Sequence, residues 1–137
     1  MDPATIRQHF RDLQRAKVSV LAVSWWGQAS KQGSTDNQGV STDLAAALLL
    51  RLADETAGAV SVCFHLEPYP GRSASSTLED LQYIHAQYGH HPSLARRRDG
   101  RPIFYIYDSY HISASDWAEV FSVSGKYSPC PFAVTRL

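Results

Sequence analysis

Cysteine is scarce in this chain, with two residues, Cys63 and Cys130, among 137. They stand far apart and outside any metal-ligand spacing, which excludes a disulfide framework and a cysteine zinc site. Charge of one sign is also missing, because thirteen Lys and Arg balance thirteen Asp and Glu. A neutral chain has no global attraction to nucleic acid or to an anionic membrane. Long apolar runs are absent: Leu44 to Leu50 falls well short of the about 20 residues that a membrane-spanning helix needs. The first residues, Met1-Asp2-Pro3-Ala4-Thr5, lack the charged-then-apolar layout of a signal peptide. No Gly-x-Gly-x-x-Gly or phosphate loop follows a strand pattern, and neither His-Glu-x-x-His nor Gly-x-Ser-x-Gly occurs. The six histidines show no metal-ligand spacing, so neither a metal nor another cofactor is expected.

What is present suits one folded domain: 44% hydrophobic and 11% aromatic residues can build a core. Asp2-Pro3 is a helix-start signal, and Ile6, Phe10 and Leu13 then recur at helical spacing to about Lys17. Val18 to Trp26 is apolar and β-favouring, as expected of a strand covered on both faces. A polar loop with Gly27, Gly33 and Gly39 leads to a helix from about Leu44 to Thr56, with Thr42 or Asp43 as its cap and Gly58 as its stop. Ala59 to Glu67 reads as a second strand, broken by Pro68-Tyr69-Pro70-Gly71. Ser76-Thr77-Leu78-Glu79 reads as a capping box, opening a helix that Gly89 closes. After a basic loop of the kind usually found solvated, Pro102 to Asp108 forms a third strand. A last short helix, capped by Ser113 or Ser115, carries Trp117, Val120 and Phe121.

Strands alternating with helices predict an α/β fold with a parallel sheet and helical crossovers. Two architectures satisfy that order, an open doubly wound sheet and part of a (β/α)8 barrel. A whole barrel needs about 250 residues, so about three parallel strands with flanking helices make a partial one.

The two-residue period places Ser61, Cys63, His65 and Glu67 on one face of the second strand and Val60, Val62, Phe64 and Leu66 on the other. One face thus carries His and Glu, while the other is wholly apolar, which fits a barrel strand whose outer face meets helices. Functional groups in barrels gather at the C-terminal strand ends. Here those ends are Trp25-Trp26, His65 to Glu67, and Tyr107-Asp108-Ser109-Tyr110. Flat rings beside carboxylates suit a sugar, the rings covering its C–H face and the charged acceptors taking its hydroxyls. Each residue also has a plainer reading: the tryptophans as core filling, His65 as a bonded buried imidazole, and Asp108 as a turn cap. Glu67 is hardest to explain that way, since a carboxylate ending an apolar strand must find partners or stay wet.

The motifs Phe64-His65-Leu66-Glu67-Pro68-Tyr69 and Phe104-Tyr105-Ile106-Tyr107-Asp108-Ser109-Tyr110 carry a resemblance. With Val23-Ser24-Trp25-Trp26, Tyr83-Ile84, Tyr88-Gly89, His91-Pro92 and Trp117-Ala118, they make the chain resemble the endo-α-1,2-mannosidases of the glycoside hydrolase family 99 type, from about Ile6 to Gly125. That resemblance implies a (β/α)8 barrel and a retaining, endo-acting glycosidase without a metal, cutting inside mannose-containing glycans. In the animal enzymes it implies N-glycan processing in the Golgi. By position it implies substrate contacts at Trp26, Glu67, Tyr107 and Tyr110, with His65 and Asp108 as neighbours. The family's acid and base glutamates lie in an Asn-Glu-Trp segment that these residues lack, so no catalytic residue is assigned.

Residues 1–125 are therefore expected to form a partial endo-mannosidase-like barrel domain and 126–137 a divergent tail. The expected function is that of an endo-α-mannosidase fragment, inactive alone, whose partner is a mannose-containing glycan, with no nucleic acid and no membrane segment. Two alternatives stay open: a non-catalytic carbohydrate-binding or interaction protein, and a small complete α/β enzyme using Glu67 and Asp108.

Overall fold

Each helix begins where a side chain can take the free amides of its first turn. In the computed structural model, which describes residues 2–31, 33–121 and the strand at 133–136, Asp2 accepts from the backbone N–H groups of Ala4 and Thr5 and opens α1 (Pro3–Arg15). Ser41 caps α2 (Thr42–Asp54), accepting from the N–H of Leu44. The cap expected at Thr42 or Asp43 is thus displaced, because both side chains are drawn elsewhere. The helix stops at Asp54, ahead of a turn in which Ala57 and Gly58 take positive φ. Helix α3 (Ala74–Tyr88) starts earlier than expected: Ser73 and Ser76 bond reciprocally in a capping box, and Gly89 forms the C-cap as anticipated. Ser113 rather than Ser115 supplies the hydroxyl at the start of α4 (Ala114–Phe121), accepting from the N–H of Asp116.

The strands β1 (Val20–Trp25), β2 (Ser61–Leu66) and β3 (Ile103–Ile106) lie inside the expected limits. A fourth, β4 (Ala133–Arg136), falls in the stretch read as a divergent tail and pairs with β3. Cys130 lies outside the described residues. All neighbouring strands pair in parallel, in the order β1-β2-β3-β4. A doubly wound sheet would reverse its strand order at a switch point, so sequential order selects the barrel-like alternative.

The two faces differ as the alternation predicts. Val62, Phe64, Leu66, Phe104 and Ile106 are buried against the helices in one core with Leu50, Leu81 and Ile84. On the opposite face, Ala22 pairs with Cys63, while Ser24, His65 and Tyr105 line up across the strands. Cys63 is a buried thiol, and burial pushes its pKa up.

The basic loop is not wholly solvated. Its segment Ser93-Leu94-Ala95 is buried and follows β2 for one bridge, with Val62 donating to the Ser93 carbonyl and Ala95 to that of Val62. The arginines beyond it stay outside, so charge there marks only part of the loop.

Candidate functional site

The parallel register brings three strand ends to one edge. The backbone N–H of Glu67 donates to the carbonyl of Trp25 at 3.0 Å, and that of Tyr107 to the carbonyl of Leu66 at 3.1 Å. Trp26, Glu67 and Tyr107 therefore each stand at the C-terminal end of a different strand.

The structure brings His65, Glu67 and Tyr107 together. Nδ1 of His65 lies 2.8 Å from Oε1 of Glu67, with the two side chains 22% and 12% exposed. An ionised carboxylate only accepts, which makes the imidazole N–H the donor and leaves Nε2 as its second polar atom. The Tyr107 ring packs 5.4 Å from the imidazole, centroid to centroid, and Tyr107 remains exposed.

Asp108 and Tyr110 form a neighbouring group. Asp108 adopts a left-handed conformation, φ 51°, and starts a short 3-10 turn over Ser109–His111 without a side-chain capping bond. The cap reading of its side chain is therefore not realised. The nearby Asp108 carboxylate pushes the Tyr110 phenol's pKa up. Trp117 of α4 fixes the turn from beneath, donating its indole N–H to the Ser109 carbonyl at 2.9 Å.

Trp26 is half-buried and lines a separate cavity of about 340 Å³, shared with Gly27, Lys31, Ser34, Tyr69 and Asp80. Asp80, with a side chain 2% exposed, accepts from the Gln28 amide at 3.1 Å, the Lys31 ammonium at 3.3 Å and the Tyr69 hydroxyl at 2.8 Å. Burial and this acidic partner push the Tyr69 phenol up to about 12. Gly27, φ 113°, makes the turn after the tryptophans, and a Cβ there would meet Ser34 Oγ at 3.0 Å.

Sequence reasoning missed Arg72. Its Nη2 donates to the Asp108 carbonyl at 2.9 Å, and its Nη1 is buried without a partner among the described residues. Burial pulls the guanidinium below its ordinary pKa, against the opposing pull of Tyr69, Asp108 and Glu67. The position just after Pro-Tyr-Pro-Gly was the one available signal. No metal-holding group of His, Cys, Asp or Glu is formed among the described residues, and no described helix is long and apolar enough to cross a membrane.

A strand edge that presents His, Glu, Asp and tyrosines is the setting in which the family motifs were found. The family model described as glycosyl hydrolase family 99 matches residues 1–130. The chain belongs to that family. Within it, the chain is 34% identical over 131 residues to a glycoprotein endo-alpha-1,2-mannosidase of Mus musculus, covering 93% of this chain and 27% of the mouse protein. It is 32% identical to a glycoprotein endo-alpha-1,2-mannosidase-like protein of Homo sapiens, again over 93% of this chain and 27% of that protein. A solved family 99 endo-alpha-mannosidase from Bacteroides thetaiotaomicron superposes with a TM-score of 0.77 at 38% identity, covering 96% of this chain and 36% of that one. The family 99 chain thus spans about a quarter of the curated relatives' length, and its strands and helices form part of a (β/α)8 barrel.

Proposed function

We propose that the C-terminal edge of β1 to β3 is one wall of the glycan cleft of an endo-acting α-1,2-mannosidase, contacted by Trp26, His65, Glu67, Tyr107, Asp108 and Tyr110. In this reading residues 1–137 bind a mannose-containing glycan but do not cleave it. The observation that carries the reading is the bonded His65–Glu67 pair under the exposed Tyr107 ring. A carboxylate held by an imidazole presents its remaining lone pairs to hydroxyl donors, and the ring offers a face to sugar C–H groups.

Cleavage asks for more. A glycosidase needs a proton donor at the leaving oxygen and a second group at the anomeric centre or its neighbouring hydroxyl. Glu67 is engaged by His65, and these 137 residues contain no Asn-Glu-Trp segment. The substrate in this reading is an N-glycan, and the setting is glycan processing in the Golgi.

Titrating the 137-residue protein with α-1,2-linked mannobiose, followed by NMR, tests the binding. Chromatography of a glucosylated high-mannose glycan after incubation tests the cleavage. Shifts at Trp26, Glu67, Tyr107 and Tyr110 with no released sugar are expected. Release that disappears with Glu67→Gln and Asp108→Asn would make the chain a complete small enzyme, and the absence of any shift would remove the cleft.

A further inference from the structure

Two consecutive residues at the start of α2 hold the end of β1 and the turn after it. Thr42 Oγ1 accepts the backbone N–H of Trp26 at 3.1 Å. The Asp43 carboxylate takes the Trp25 indole N–H on Oδ1 at 3.1 Å and the backbone N–H of Ala29 on Oδ2 at 2.9 Å. The stretch from Trp25 to Ala29, with Trp26 and the positive-φ Gly27 inside it, is therefore tied at three points to one place in the fold.

Asp43 is itself fixed from the other side. The Tyr83 hydroxyl donates to Oδ2 at 2.7 Å and the Tyr88 hydroxyl to Oδ1 at 3.0 Å, both from α3. The residue is 3% exposed, and each of its oxygens receives two neutral donors. A buried charge is tolerable only when its lone pairs are met in this way. The same two residues thus reach the N–H of Trp26, the indole before it and the N–H of Ala29 after it.

We infer that Thr42 and Asp43 are positioning residues that set where the Trp26 ring stands in the glycan cleft. The inference rests on the reading of Trp26 as a sugar contact, but the placement of Trp26 can be measured without any sugar. The tyrosines report on Asp43 separately. Burial and the neighbouring carboxylate push the Tyr83 phenol up to about 12, and Tyr88 is raised by the same causes.

The experiment uses the full chain with Thr42→Val, which keeps the side chain's shape but removes the acceptor, Thr42→Ser, which restores it, and Asp43→Asn. Amide exchange of Trp26 should speed up about tenfold in Thr42→Val, as expected for one lost hydrogen bond, and its indole resonance should move while that of Trp117 stays. Affinity for α-1,2-mannobiose should fall about three- to tenfold, and Thr42→Ser should recover both signals. In Asp43→Asn, Tyr83 and Tyr88 should ionise at lower pH when followed by ultraviolet absorbance. Unchanged exchange and indole signals in Thr42→Val would overturn the inference, as would a displaced Trp26 with wild-type affinity. If the wild-type chain bound no mannobiose, the reading of the cleft would fail, and the Trp26 signals would still decide the positioning.

Discussion

Nδ1 of His65 stands 2.8 Å from Oε1 of Glu67, two residues further along the same strand face. Side chains at such positions project in the same direction, so the longer glutamate folds back onto the imidazole. The result is a half-shielded carboxylate at the end of an apolar strand, partnered within its own strand. Tyr107, the residue after β3, packs against the imidazole of the pair.

Glu67→Gln keeps the shape of this group and removes its charge. Hydrogen bonds to charged groups contribute about 1.5–3 kcal/mol, so affinity for α-1,2-mannobiose should fall at least about tenfold, while the thermal midpoint changes little. Calorimetric titration beside a melting curve checks both, and wild-type affinity in the variant would exclude Glu67 as a contact.

Much of this cluster was legible because its signal is local. The alternation from Val60 to Glu67 identifies the inner face, and the end of each apolar run locates each strand end. The parts that were not legible depend on partners distant in sequence. Asp43 reads as a cap because it precedes a helix, yet its donors come from Trp25, Ala29, Tyr83 and Tyr88. Arg72 finds a backbone carbonyl, which carries no side-chain signal. Leu94 and Ala95 are masked by the arginines after them, and β4 lies in the stretch 126–137, which reads as a divergent tail because the family motifs end before it.

Arg72→Met tests the link between the loop after β2 and the turn after β3. The variant loses the bond that holds Asp108 in its left-handed conformation, but it also removes a desolvated cation with one buried, unpartnered nitrogen. A charged hydrogen bond is worth about 1.5–3 kcal/mol and the second effect offsets part of it, so a net loss of about 1 kcal/mol is expected in urea unfolding. A gain in stability would mean that desolvation of the guanidinium outweighs its bond.

Asp54 gives the fold a pH dependence away from the site. Its carboxylate takes Nδ1 of His91 at 2.7 Å and the N–H of Ser93 at 2.9 Å. Burial pushes this carboxyl up, but the hydrogen bonds from Ser93 and His91 outweigh it and hold the group below the usual range. The unfolded carboxyl titrates near about 3.9. Stability from this group is therefore present above that pH and is lost as pH falls through the lower, folded value. Urea midpoints measured from acid to neutral pH should fall less steeply at the acid end in Asp54→Asn, and identical slopes would assign the acid loss to other groups.

The edge of β1 that does not face β2 offers a surface for association of the 137-residue chain. Among the described residues β1 pairs with β2 alone, and Val20 on that strand is 49% exposed. Beside it, Ile6, Phe10, Leu13, Leu21 and Leu49 line an apolar groove of about 380 Å³. An unpaired edge beside apolar surface is a template for strand-to-strand association, and a lysine on the edge is the common protection against it. Val20→Lys places that charge where the side chain already meets water, so stability should change by no more than about 0.5 kcal/mol. Light scattering at rising concentration should show slower association than in the wild-type chain. If both associate equally while their thermal midpoints agree, association runs through a different surface and the β1 edge is protected by its own twist.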